Sequence, residues 1–197
     1  MKTLLCLDAS TKAVGISVLE CEGNTISLIH WEVFQPNKKD NIFDKLFKTR
    51  AHIVKLIDKF KPDELVLEDI IKFMPGKSTA TTITTLACFN RSMGLLALEK
   101  LNKQPCLMNV MTIRHAIKEN KIIPKKEDIP ELVAKILKIS FPYYYIINKK
   151  TKIKEINPIS NDLADSIAAG IAYWIKQSTP KKIKKSKNGN TRSKKNT

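Results

Sequence analysis

The chain has 197 residues, 43% of them hydrophobic, which is enough for one ordinary globular core and too little for a large two-domain enzyme. Lys and Arg number 35 against 19 Asp and Glu, and the formal net charge of +16 points to a polyanionic partner. Eight of the basic residues and no acid fall between Lys181 and Thr197, so the remainder still carries +8 and the body is basic without its tail.

Three apolar or alternating runs, Thr3 to Leu7, Ala13 to Leu19 and Thr25 to Phe34, are separated by turn-forming stretches at Ser10 to Lys12 and Glu22 to Asn24. They predict three sequential antiparallel strands. From Asn41 to Phe60 the residues Phe43, Leu46, Phe47, Ile53, Val54, Ile57 and Phe60 recur at spacings of three and four, an amphipathic helix that ends before Pro62. Glu64 to Glu68 is a short apolar run of the kind buried inside a sheet, followed by the loop IIKFMPGKS. A helix is predicted over Thr79 to Leu101, a fifth strand over Pro105 to Val110, short helices over Ile113 to Glu119 and Ile129 to Ile139, and a last helix over Asp162 to Ile175, entered from Pro158. This order implies a mixed sheet with helices on both faces.

Residues 1–177 are expected to form that one domain. The Lys-rich stretch 178–197 has almost nothing apolar to bury and is expected to stay disordered. Cys6, Cys21, Cys88 and Cys106 are scattered, with no C-x-x-C and no His at ligand spacing, which argues against a zinc site or a disulfide framework. Asp8 interrupts the apolar start and no run approaches about 18 apolar residues. A soluble cytoplasmic protein with no membrane partner is expected, or a nuclear one in a eukaryotic host, where KKIKKSK would read as a targeting run.

The informative acids stand where the pattern predicts burial or a strand end. Asp8 closes the first strand, Glu68 the fourth, and Asp162 and Asp165 stand three apart at the start of the last helix, where Asn161 or Ser160 would cap it. That spacing puts both on one helix face, about 5–6 Å apart at the β-carbons, and a helix start favours negative charge. Three of the acids also have a plain structural reading, a turn former at Asp8, a strand exit at Glu68 and a helix-start charge at Asp162, while Asp165, one turn deeper and followed by small residues, is harder to dismiss. Taken together, on a sheet centred on the first strand, four carboxylates would meet, a cluster that needs a hard divalent cation. A basic surface around an acidic metal pocket is the logic of a phosphodiesterase.

The segments LLCLDASTKAVGISVLE, VLEDI and NDLADSIAAGIAYW resemble the three carboxylate motifs of the RuvC family of Holliday-junction resolvases, and the likeness runs in order from about Thr3 to Trp174. The resemblance implies an RNase H-like fold: an α/β mixed five-stranded sheet, three antiparallel then parallel strands, flanked by helices. It implies that Asp8, Glu68, Asp162 and Asp165 are catalytic and hold two Mg²⁺ or Mn²⁺ ions. It further implies a homodimer that nicks opposed strands of a four-way junction, leaving 5′-phosphate and 3′-hydroxyl ends, with no nucleotide cofactor. Lys72, Phe73 and Lys77, after Glu68, and Lys118, Lys121, Lys125 and Lys126 are then candidate DNA-binding residues. The helix with Leu86, Met93 and Leu96 is a candidate dimer surface, and packing on its own sheet is the equal alternative.

Asp69 departs from the pattern, facing away from Glu68 on a regular strand. The stretch before the last helix is long and predicts an additional hairpin, with Tyr143 to Tyr145 packing or meeting DNA. Three rival readings remain. The DASTKAVG run also resembles the phosphate hairpin of actin-like ATPases, which need about twice this length. Another RNase H-like nuclease would act on RNA or branched viral DNA. A basic, non-catalytic DNA-binding protein would bind without metal-dependent cleavage.

Overall fold

The computed structural model describes residues 1–70, 79–148 and 151–179. Strand β1 (Lys2–Ala9) turns at Ser10, whose hydroxyl donates to the Ala13 carbonyl (2.8 Å) and accepts from the Ala13 amide (3.2 Å), and the chain returns as β2 (Val14–Glu22). The next reversal takes two residues, with Gly23 at φ +55°, and leads into β3 (Thr25–Phe34). Helix α1 (Ile42–Phe60) begins at Asn41, whose side chain accepts from the Asp44 amide (3.0 Å). Strand β4 (Glu64–Glu68), helix α2 (Ala80–Leu101), strand β5 (Cys106–Met108), helices α3 (Val110–Ile117) and α4 (Ile129–Leu137), the hairpin β6 (Tyr145–Ile147) and β7 (Lys154–Ile156), and helix α5 (Ile159–Ser178) follow.

The five long-range strands form one sheet in the order β3-β2-β1-β4-β5, antiparallel through β3, β2 and β1 and parallel from β1 to β5. Strand β1 therefore lies at the centre, as expected. Side-chain alternation divides the core in two. Leu5, Leu7, Val14, Ile16, Leu65 and Leu67 face α1 and α2, and Leu4, Cys6, Leu19, Cys21, Val66 and Met108 face α3, α4 and α5. Each fully buried aliphatic side chain contributes roughly 1.5–3 kcal/mol.

Three predicted boundaries need correction. Helix α3 starts three residues early because Asn109 caps it, its side chain accepting from the Met111 amide (2.9 Å), and this also shortens β5. Helix α5 starts at Ile159, not Asp162, with Pro158 at the cap position and the Asn157 side chain accepting from the Ile159 amide (3.2 Å). Ser160 and Asn161 therefore do not cap it; the buried Ser160 hydroxyl accepts instead from the Tyr144 amide (3.0 Å). Met93 and Leu96 of α2 are buried against the chain's own sheet, so they are not free for a dimer surface. The predicted hairpin is present, and the tail beyond Thr179 lies outside the described residues.

Candidate active site

The register Leu7↔Leu67 between parallel β1 and β4 sets Asp8 beside Glu68, and the alternation that sends Cys6 and Val66 toward α5 sends both acids the same way. Helix α5 crosses this face at close range because Gly15, which pairs with Asp8, carries no side chain. A β-carbon there would lie 1.9 Å from the Asp162 carbonyl oxygen. Gly170 gives a second close approach, where a β-carbon would meet Cys6 Sγ and Leu19 Cδ1 at 2.5 Å. Small residues at Ala164, Ala168, Ala169 and Ala172 continue the contact; the Ser166 hydroxyl donates to the Leu163 carbonyl (2.7 Å) and lies 3.2 Å from Ser17 Oγ, from which it can accept.

This packing brings carboxylate oxygens of Asp8, Glu68 and Asp165 within 4.8 Å of one another. Asp165 is buried. Asp162 stands one turn earlier and outside that trio, at the rim. Lys126 spans the two, its Nζ 3.0 Å from Asp165 Oδ2 and 4.0 Å from Asp162 Oδ1. The Glu68 carbonyl accepts from Asn90 Nδ2 (2.9 Å), which ties the end of β4 to α2. Asp69 turns away and accepts from Arg91 Nη2 (2.6 Å), as its strand position predicts.

Crowded burial changes how these groups hold protons. Desolvation, then the charges of Glu68, Asp165 and Asp162, push Asp8 well above the usual carboxylate range. Desolvation and Asp165 raise Glu68 to about 8, against opposing help from Lys126 and Arg114. Asp162 and Asp165 are also raised, chiefly by desolvation. Burial alone would lower Lys126, but Asp165, Asp8 and Asp162 outweigh it and hold the ammonium above its ordinary value. A clustered all-oxygen donor set that resists full ionisation fits a hard divalent cation, which would supply the missing positive charge.

Residues 4–144 match the family described as crossover junction endodeoxyribonuclease RuvC. The chain belongs to the RuvC family. A RuvC of Petrotoga mobilis is 33% identical over 99 residues, 50% of this chain and 58% of that protein. One of Finegoldia magna is 25% identical over 146 residues, 66% of this chain and 88% of that protein. The fold is that of Thermus thermophilus RuvC solved with a Holliday junction substrate, at TM-score 0.66 and 16% identity over 89% of this chain and 94% of that one. A yeast mitochondrial Holliday junction resolvase is similar at TM-score 0.55 and 16% identity, over 89% of this chain and 79% of that one. RuvC is a family of Holliday-junction endonucleases that depend on divalent metal, and this chain is a nuclease of that class. The family match contains Asp8 and Glu68 and stops before α5, whose two acids are placed by the fold.

The other expected site residues scatter. Lys118, Lys121 and Lys125 are exposed and make no ion pair with the four acids; Lys118 lines a cavity with Ile175, ten residues past Asp165 and so about 15 Å along α5. Lys72, Phe73 and Lys77 lie outside the described residues. Gly15, Asn90 and Arg114 went unread in the sequence. A glycine inside an apolar strand is a known sign of close backbone approach. Nothing distinguishes Arg114 from the other cations of so basic a chain.

Proposed function

We propose that this RuvC-family endonuclease cuts four-way DNA junctions at Asp8, Glu68, Asp162 and Asp165, which would hold two Mg²⁺ ions, with Mn²⁺ as a substitute. The observation that carries the reading is the convergence of three carboxylates within 4.8 Å at one end of adjacent central strands in a chain of net charge +16. Bound there, the metal would activate water for in-line attack and stabilise the leaving 3′ oxygen, giving 5′-phosphate and 3′-hydroxyl ends.

The chain's own groups do the rest. Asp8, Glu68 and Asp165 are held by β1, β4 and α5, rigid elements that fix their spacing. Asp162, more exposed, faces the incoming backbone at the rim. Lys126 partly offsets the charge of Asp165 and Asp162 in the metal-free protein, and its ammonium is then placed to contact a scissile phosphate. Lys118, Lys121 and Lys125, with Lys72, Phe73 and Lys77, would be further contacts to the DNA.

Two subunits related by a two-fold axis would cut opposed strands. Supporting this, α1 and α2 leave Phe43, Phe47, Leu95 and Leu98 exposed, an apolar area suited to a second copy. The enzyme would act at the nucleoid of a bacterial or phage-infected cell. The experiment is incubation with labelled four-way, three-way, flap and linear duplex DNA plus Mg²⁺. Paired nicks confined to the four-way substrate support the reading, and binding without metal-dependent cutting rejects it.

A further inference from the structure

A second concave feature adjoins the acids on their rim side. The β1–β2 turn, the connection from β3 to α1 and the first turn of α5 border a cleft of about 710 Å³, lined by Lys12, Lys38, Lys45 and Lys126 and by Asp162. These cations come from three separate parts of the chain, so their meeting is a product of the fold and not of a local charge run.

Their state of pairing separates them from the other lysines nearby. Lys48, one turn beyond Lys45 on α1, is paired with Asp40 at 2.7 Å, and Lys126 is engaged by Asp165 at 3.0 Å. Among the described residues, no carboxylate lies within 4 Å of the ammonium groups of Lys12, Lys38 or Lys45. Three uncompensated cations around one cleft repel one another and favour an anion. The cleft is continuous with the acid cluster through Asp162, which lines one and borders the other. A strand whose phosphates lie against the three lysines is thereby led to the carboxylates.

We propose that this cleft is the track for the sugar–phosphate backbone on one side of the cut, with Lys12, Lys38 and Lys45 as its phosphate contacts. The proposal rests on the nuclease reading above and assigns a path for the DNA that Lys118, Lys121 and Lys125 do not line. Contacts of this kind set affinity and position without reading bases, so they act through salt-dependent binding.

The test compares the full chain with K12Q/K38Q/K45Q and with K55Q/K59Q/K100Q, which removes the same charge from α1 and α2 near the opposite end of the sheet. Affinity for a labelled four-way junction is measured in EDTA at several salt concentrations, so that nothing is cut. The cleft variant is expected to lose affinity by at least about tenfold and to flatten the slope of log K against log salt by roughly 2–3, while the control variant changes little. A slope equal to the parent's, or an equal loss in both variants, overturns the cleft. Thermal melting checks that each variant is folded, since five of the six lysines are exposed and Lys45 is half-buried. Cutting by the unaltered chain in Mg²⁺ is scored separately. Its absence would count against the nuclease reading, whereas an unchanged slope in a protein that does cut counts against the cleft alone.

Discussion

At the scale of single residues, the buried acids repel one another, and a cation bound among them would relieve that repulsion. Glu68 sits at about 8 in the folded chain and near 4.5 when unfolded, so between those values the native state binds a proton that the unfolded state has released. Stability of the metal-free protein should therefore fall as pH rises through that window. E68Q should melt no lower than the parent, and its advantage should widen from pH about 5 to about 8, reaching on the order of 1–3 kcal/mol. A variant that melts clearly lower at both pH values would make Glu68 a structural residue. Added Mg²⁺ should raise the parent's melting temperature more at the upper end of the window, because the carboxyls must first lose their protons. Asp8 and Glu68 were legible in the sequence because each ends an apolar run. The role of Lys126 was not, since one lysine among many carries no mark of the acids it meets.

At the scale of elements, the site depends on how closely α5 lies on the sheet. G15A should place a methyl group against the Asp162 backbone, which cannot move without shifting the helix. We expect a loss of about 1–3 kcal/mol in stability and a larger loss in cutting, because Asp162 and Asp165 are carried by the displaced turn. G170A meets the side chains of Cys6 and Leu19 and should cost similar stability with much less effect on cutting. Equal effects of the two changes on cutting would show that helix position at Gly15 is not what aligns the acids. Strand β4 and helix α1 were readable almost to the residue, through an uninterrupted apolar run and a clean helical period. The start of α5 was not. A proline takes its cap position and the capping oxygen comes from Asn157, one residue before it, so the polar residues Ser160 and Asn161 were misleading.

At the scale of the whole molecule, charge and symmetry govern the encounter with DNA. Deleting Lys181 to Thr197 removes eight cations and should weaken junction affinity and flatten its salt dependence without moving the cut positions. Displaced cuts would mean that the tail selects the substrate. L95E/L98E, placed on the exposed side of α2, should halve the mass seen by light scattering if that face joins two copies, and leave the 22.3 kDa chain folded. An unchanged mass would move the interface elsewhere. The mixed sheet with helices on both faces followed from the sequence of strands and helices, while the cleft did not, since it is built from turns whose mutual placement only the folded chain defines.

The claim on which the rest depends is that the buried carboxylates perform the cutting, and D165N isolates it, replacing one oxygen of the trio with an isosteric amide. Junction binding and Mg²⁺-dependent nicking are followed together on one labelled substrate. The variant should bind as the parent does and leave the DNA intact over times in which the parent nicks it. Nicking by D165N at the parent's rate would remove the acids from the chemistry.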